Sequence, residues 1–376
     1  MLMNQQSIRK MYKYRLKPTV EQERALETVL WRCRVLYNVA LEQRKTWWAR
    51  GQGVGTTYYQ QKAELPDLKA ACPEFGAIHA HILQDVILRV DRAFQAFFRR
   101  LKAGDTAGYP RYQGKGRYTS FTFPEYGNGA MLDGAVLSLS KIGRIPIRLH
   151  RPLEGTPKTV TIRREVDGWY VCISCAEVPM QPLPAAGQET GIDVGLKVFL
   201  VTTQGVVFEN PQYYRRAERY LAKCQRRASR RLKGSHRRRK AVMLLAKAHQ
   251  TVQRQRRDFH HKTALAVVQQ NDTIYHEDLR VSGMVRNRHL AKSISDAGWA
   301  QFRSILEAKA AYAGRRVVAV PPAYTSQDCS GCGERVPKSL SVRTHVCPSC
   351  GLVMDRDENA ARNIQRAGQA LRGLKG

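Results

Sequence analysis

The sequence predicts a multidomain α+β protein. A β-rich N-terminal domain is interrupted by a helical bundle, and a mixed α/β sheet carrying a small cysteine module follows. Three observations predict it. Strand-like alternation at the start gives way to helical stripes and then returns. The Pro- and Gly-punctuated linker "EVPMQPLPAAGQETG" separates this region from a second one, whose elements run β-β-β-α-β-α-β. Four cysteines then fall in two tight pairs near the C-terminus.

Composition sets the bounds. A chain of 376 residues, 43% hydrophobic and 25% charged, can bury two or three cores and is not a disordered tail. Lys and Arg number 63 against 31 Asp and Glu, and the formal net charge of +32 implies a polyanionic partner, nucleic acid or an acidic membrane surface. No apolar run is long enough for a membrane span, and the opening "MLMNQQSIRK" lacks the apolar core of a secretion signal. A soluble intracellular protein with no membrane partner is expected. Nine cysteines is an odd count, and the paired spacing favours metal ligation over a disulfide framework.

In "YKYRLKPTVEQERALETVL", Tyr12, Tyr14 and Leu16 alternate with Lys13, Arg15 and Lys17 as in a strand. Thr19 and Gln22 then fit a capping box for a helix whose apolar stripe is Leu26, Val29, Leu30, Cys33, Leu36, Tyr37, Ala40 and Leu41. A second helix, about 78–102, repeats the pattern with Leu83, Val86, Val90, Phe94, Phe97 and Leu101. From 108 to about 180 the chain turns β-rich, with "KIGRIPIRLH" and the hairpin "TVTIRREVDGWYVCISCAEV" turning at Asp167-Gly168. The first strand is expected to join this sheet, which makes the helices an insertion. Within it, "GYPRYQGKGRYTSFTF" interleaves Tyr109, Tyr112, Tyr118 and Phe121 with Arg111, Lys115 and Arg117. Such a pattern suits stacked bases and phosphates, or the aromatics can serve as core. Cys172 and Cys175 lie in a strand, where i and i+3 face opposite ways, so a structural role fits them.

After the linker, "GIDVGLKVFLVTTQGVVFEN" gives three short strands with turns at or near Gly195 and Gln204-Gly205. A basic helical stretch, about 211–270, leads to "DTIYHEDL", a helix around 298–313 and the strand "RRVVAVPP". The basic stretch carries Arg226, Arg227, Arg230, Arg231, Arg237, Arg238 and Arg239. So many like charges destabilise a helix without counter-charges, which phosphates would supply. Gly234-Ser235 is expected to break it into two antiparallel helices, and nothing in it suggests base-specific readout.

Three acids stand apart in sequence. Asp193 sits in the first strand of the second region, Glu277 ends the run Thr273-Ile274-Tyr275-His276, and Asp357 opens the last helix within "DRDENAARN". Singly, each would be a cap or a surface charge. Together, at one end of a sheet in a strongly basic protein, they need a bridging cation, and an all-oxygen site suits Mg²⁺ or Mn²⁺. Two such ions can activate water against a phosphodiester. Asp355 is the candidate for a cap, and Arg362, one turn into the helix, for a phosphate contact or a surface charge. Cys329, Cys332, Cys347 and Cys350 follow C-x2-C-x14-C-x2-C, a spacing that lets four thiolates converge on one structural Zn²⁺ and leaves His345 unneeded. The zinc would order an excursion between the fifth strand and Asp357.

The motifs "GIDVGLKVF", "YHEDL", "TSQDCSGCG", "CPSCG" and "DRDENAARNI", in this order, resemble the RuvC-like half of TnpB, the transposon-encoded RNA-guided nuclease related to type V CRISPR effectors. "YKYRLKPTVEQ", "YNVAL", "GYPRYQGKG" and "KIGRIPIRL" resemble its N-terminal half. The resemblance implies a wedge-type β-barrel over 1–18 and 105–182, with a helical recognition domain, 19–104, inserted in it. It further implies an RNase H-like nuclease domain over 188–324 and 353–376, interrupted by a zinc ribbon at 325–352 that binds target nucleic acid. It implies a guide RNA (ωRNA), one protein chain per RNA, and double-strand cleavage of target DNA beside a short motif, in the prokaryotic cytoplasm and on the nucleoid. Position by position it makes Asp193, Glu277 rather than Asp278, and Asp357 the catalytic Mg²⁺ ligands. It also points to a chain that ends, at "LRGLKG", sooner than in longer relatives. RNA-guided DNA binding without cleavage, and transposition without a guide, are the alternative readings.

Overall fold

Alternation at the start of the chain becomes β1 (Ser7–Leu16), with Tyr12, Tyr14 and Leu16 buried. The structure, a computed structural model, describes residues 7–49, 56–339 and 342–373, so the outermost parts of the expected spans, 1–6 and 374–376, and positions 50–55 and 340–341 lie outside it. Two compact units result, Ser7–Pro179 and the part that starts at Met180.

In the first unit, α1 (Val20–Ala49) opens on the expected capping box. Gln22 N donates to Thr19 Oγ1 at 3.2 Å, and Thr19 N to Gln22 Oε1 at 3.0 Å. All eight stripe residues are buried, and Arg44 joins them by pairing with Asp91 at 2.9 Å. Three short helices, α2 (Tyr58–Ala63), α3 (Leu65–Ala71) and α4 (Pro73–Gly76), precede α5 (Ala80–Lys102). Leu83, Val86, Val90 and Phe94 of α5 are core, but Leu101 is 47% exposed, because the stripe leaves the core where the helix ends in Arg99, Arg100 and Lys102.

Six strands follow: β2 (Ser120–Phe123), β3 (Ala130–Asp133), β4 (Val136–Leu139), β5 (Gly143–Arg148), β6 (Thr156–Glu165) and β7 (Gly168–Pro179). With β1 they form an antiparallel sheet in the order β2-β6-β7-β1-β5-β4-β3, a nearly closed barrel. The first strand therefore sits inside the sheet, and the helices are inserted between β1 and β2. Tyr118 and Phe121 are buried and belong to the core, not to a stacking surface. Glu165 pairs with Gly168, so the hairpin loop is Val166-Asp167, one residue earlier than expected. Cys175 is buried and Cys172 only partly so, as alternation requires.

The second unit contains β8 (Glu189–Val194), β9 (Val198–Thr202), β10 (Val207–Glu209), α6 (Tyr213–Ser229), α7 (His236–Gln270), β11 (Thr273–Glu277), α8 (Val281–Met284), α9 (Ala291–Ala297), α10 (Trp299–Tyr312) and β12 (Arg316–Val320). The order is β10-β9-β8-β11-β12, with β8, β11 and β12 parallel and the other two antiparallel, the mixed sheet of an RNase H-like domain. The basic stretch breaks before Ser235, whose hydroxyl caps α7 by accepting from Arg238 N at 3.1 Å. One sheet face buries Ile192, Phe199 and Ile274 against Val267, Val268, Phe302 and Leu306. The other is covered by α11 (Arg356–Gly373), reached through the hairpin β13 (Thr344–Val346) and β14 (Val353–Asp355). Among the described residues no helix is long and apolar enough to cross a membrane.

Candidate active site

Strand alternation decides which side chains meet. On β8, Glu189, Gly191 and Asp193 share one face, and on β11 Thr273, Tyr275 and Glu277 share one. The strands run parallel with Ile192 opposite His276, so one residue further on Asp193 and Glu277 are neighbours. The helix α11 lies directly on that face. A Cβ on Gly191 would come within 2.0 Å of the Ala361 carbonyl oxygen and 2.7 Å of Gln365 N, so only glycine permits this approach. Gly368 makes a second such contact, with the Tyr275 ring where a Cβ would stand. Asp357 lies four residues before Ala361, on the same side of the helix, and is thereby brought to Asp193.

The electrostatics agree. Burial, followed by the charges of Glu277 and Asp357, pushes the Asp193 carboxyl up to about 8, against a partial offset from Arg356. Glu277 is raised by burial, while a hydrogen bond from the Thr325 hydroxyl to Oε1 pulls the other way. Asp357 is raised by burial too, and is opposed first by Arg343, which pairs with it at 3.4 Å. All three acids are thus held back from ionising by desolvation, Asp193 also by the charges of the other two, and a divalent cation removes that cost. Carboxylate oxygens are the donors that a hard ion such as Mg²⁺ or Mn²⁺ takes, although the three acids are not gathered within 4.8 Å of one another.

The neighbouring acids do other work. Asp355 Oδ1 accepts from Asp357 N at 2.8 Å and Glu358 N at 3.2 Å and so caps α11. Glu358 pairs with Arg362 at 2.7 Å on the helix surface. Asp278 takes Arg303 at 2.9 Å.

The four cysteine sulfurs lie within 4.8 Å of one another, the one such group of His, Cys, Asp or Glu ligands among the described residues. Cys329 and Cys350 are 3.6 Å apart and Cys332 and Cys347 3.5 Å. Tetrahedral zinc with Zn–S of about 2.3 Å needs sulfurs about 3.8 Å apart, so the set fits a structural zinc. Backbone N–H groups of Cys350 and Ser349 pull the Cys347 thiol down to about 6, while the Cys332 and Cys350 thiols are raised. His345 is turned to Lys338 and is not a fifth donor.

The sequence gives no reading of Thr325 or Asn363, and reads Asn359 only as continuing the pattern of the last helix. Asn359 Oδ1 accepts from Ser330 N at 2.9 Å, and its Nδ2 donates to the Asp328 carbonyl at 2.8 Å. Asn363 Nδ2 donates to the Thr325 and Asp328 carbonyls at 2.9 and 2.6 Å. Their place in "DENAARN", four residues apart on one helix side, was the available signal.

The nucleic-acid candidates divide. In the first unit Tyr109, Arg111, Tyr112, Lys115 and Arg117 are exposed on an irregular segment, with the Lys45 ammonium 3.8 Å from the Tyr112 ring centroid. Asn38 holds that segment through both backbone groups of Gln113. In the second, Arg226, Arg227, Arg230, Arg231, Arg237 and Arg239 are exposed. Arg238 is half-buried and donates to the Ala228 and Arg231 carbonyls at 2.8 and 2.9 Å, tying α6 to α7.

Three family models match the chain: "Cas12f1-like, TNB domain" over 299–364, "Probable transposase" over 170–288 and "Helix-turn-helix domain" over 3–53. The described part of 3–53 is one strand and one unbroken helix. A Streptomyces pristinaespiralis protein named "Putative RNA-guided DNA endonuclease" is 37% identical over 97% of this chain and 90% of its own length. An Escherichia coli (strain K12) protein named "Putative RNA-guided DNA endonuclease InsQ" is 30% identical over 96% and 92%. The fold is similar to the protein in "Cryo-EM structure of the Cas12f1-sgRNA-target DNA complex", with TM-score 0.57 and 15% identity over 96% of this chain and 99% of that one. It is also similar to "Structure of the mini-RNA-guided endonuclease CRISPR-Cas_phi3", with TM-score 0.53 and 10% identity over 96% and 92%.

Proposed function

This chain belongs to the TnpB family of RNA-guided DNA endonucleases, and on that premise we propose that Asp193, Glu277 and Asp357 are the acids with which it cuts DNA. The observation that carries the reading is the parallel register of β8 and β11, Ile192 opposite His276, with α11 packed on Gly191 of the same face; burial and the charges of Glu277 and Asp357 working against ionisation of Asp193 support it. Such a cluster favours cations. Two divalent ions, Mg²⁺ or Mn²⁺, would supply an activated water and a stabilised leaving oxygen. The acids serve as ionised ligands and not as proton donors. Arg343, Arg356 and Lys197 help keep Asp357 in that ionised form. Cys329, Cys332, Cys347 and Cys350 hold one Zn²⁺ that closes the small module before α11.

The exposed arginines of α6 and α7, and the segment with Tyr109, Arg111, Tyr112, Lys115 and Arg117, hold the guide RNA and target DNA by phosphate contact and stacking. Base pairing reads the target, and the protein reads shape and a short flanking motif. One chain acts per guide RNA, in the prokaryotic cytoplasm and on nucleoid DNA.

The test is purification with the RNA transcribed beside the gene, followed by cleavage of duplex DNA. Cutting should move when the guide segment is changed. Asp193→Ala should lower it by about 10²–10³-fold or more, the scale lost when a group stabilising transition-state charge is removed, while RNA and DNA still bind. Cutting indifferent to the guide would overturn the assignment.

A further inference from the structure

The segment that leaves β12 and enters the first cysteine pair touches both acid-bearing elements. Its side chain at Thr325, 6% exposed, donates to Glu277 Oε1. Its backbone at Thr325 and Asp328 accepts from Asn363, and at Asp328 and Ser330 it exchanges hydrogen bonds with Asn359. Asn359 and Asn363 are themselves buried on α11, the helix that starts beside Asp357. Asn359 uses both ends of its amide, so its orientation is fixed in one sense only.

We propose that Thr325 is a positioning residue for the cutting reaction, setting the Glu277 carboxylate, and that residues 325–330 tie the zinc module to the second and third acids at once. The proposal rests on the reading of the acids given above. The chemistry is specific to a hydroxyl. Glu277 ends its strand on a side chain with three rotatable bonds, and a carboxylate so placed loses rotamer freedom when it is fixed. A single O–H from a buried side chain selects one oxygen and leaves Oε2, which has no hydrogen bond among those described, for a cation. The backbone of the same segment is held by α11, so the hydroxyl cannot drift without moving Asn363, and Ser330 lies inside the first cysteine pair.

The experiment compares Thr325→Val, Thr325→Ser, Asn359→Asp and Asp193→Ala in the full chain, zinc-loaded and with guide RNA. Three quantities are read: the cleavage rate at saturating DNA, the KM for DNA, and Mn²⁺ affinity of the DNA-free protein by calorimetry. Thr325→Val should lower the rate and the Mn²⁺ affinity by about 10- to 100-fold, the scale found when a group orienting a metal ligand is removed, with KM unmoved. Thr325→Ser, which keeps the hydroxyl, should recover both. Asn359→Asp, which loses the donor to Asp328, should weaken Mn²⁺ binding while zinc content stays whole. Wild-type rate and Mn²⁺ affinity in Thr325→Val, or equal damage in Thr325→Ser, would overturn the proposal and leave the acids standing if Asp193→Ala is dead. An Asp193→Ala protein that cuts normally would instead remove the reading of the acids, and this inference with it.

Discussion

The four thiols and the three carboxylates of the second unit both suit cations, yet they are assembled in opposite ways. The thiols lie within 4.8 Å of one another on two short turns of a single module. Hydrogen bonds from Cys329 N to the Glu334 carbonyl and from Cys347 N to the Leu352 carbonyl, both near 2.8–2.9 Å, shape those turns locally. The carboxylates come from β8, β11 and α11, are not gathered within 4.8 Å, and share a sheet face through parallel register and two glycines. A site made by spacing is robust to what surrounds it. One made by topology inherits every error in the packing of its elements.

The largest effect should come from breaking the local site. Cys329→Ala removes a ligand from a zinc whose binding is worth about 10–16 kcal/mol in small modules. Zinc content and cutting should fall together, whereas Asp193→Ala should keep zinc and lose cutting. Retained cutting in zinc-free protein would mean that the two sites are independent.

Next is the topological contact. Gly191→Ala forces a methyl against the Ala361 carbonyl, and overpacking of this kind costs about 1–3 kcal/mol. Calorimetry should give a lower Tm, and cutting should drop while zinc content stays at wild type. An unchanged Tm would show that α11 can shift freely.

A pH series sharpens the comparison. With the folded carboxyl of Asp193 pushed up to about 8 and the unfolded one near 3.9, the folded state keeps a proton that the unfolded state has already released. Stability without metal therefore falls as pH rises between those values, and is lowest above the upper one. Asp193→Asn should gain Tm over wild type across that window, and added Mg²⁺ should close the gap. A gap that does not vary with pH would count against the cluster. The smallest effect belongs to Arg362→Ala, which removes an exposed i,i+4 pair with Glu358 worth about 0.3–0.5 kcal/mol, and which should leave the cutting rate alone.

These differences track what the sequence makes legible. Local patterns came through: the stripe and capping box of α1, the break before Ser235, the cap at Asp355 and the paired cysteines. Each is fixed by residues a few positions apart. Tyr118 and Phe121 were harder, because an aromatic in a β-rich segment has the same signature on either face until the register is known. The helices α2 to α4 were missed, being too short to show a periodicity. Thr325 and Arg238 were illegible in a different way. A polar side chain spent on a distant carboxylate, or on carbonyls across a turn, carries no mark in its own neighbourhood.

The helix α11 is fastened at both ends. Near its close, Gln369 and Arg372 bond to Glu189, which also takes the Tyr275 hydroxyl, and near its opening Asn359 grips the cysteine module. Such a splint tolerates changes of surface but not of length. One residue inserted between Asn363 and Gly368 would swing the opening turn through about 100° relative to the sheet and slide it by about 1.5 Å. The spacing from Asp357 to Gly368 should accordingly be the least elastic interval in the chain.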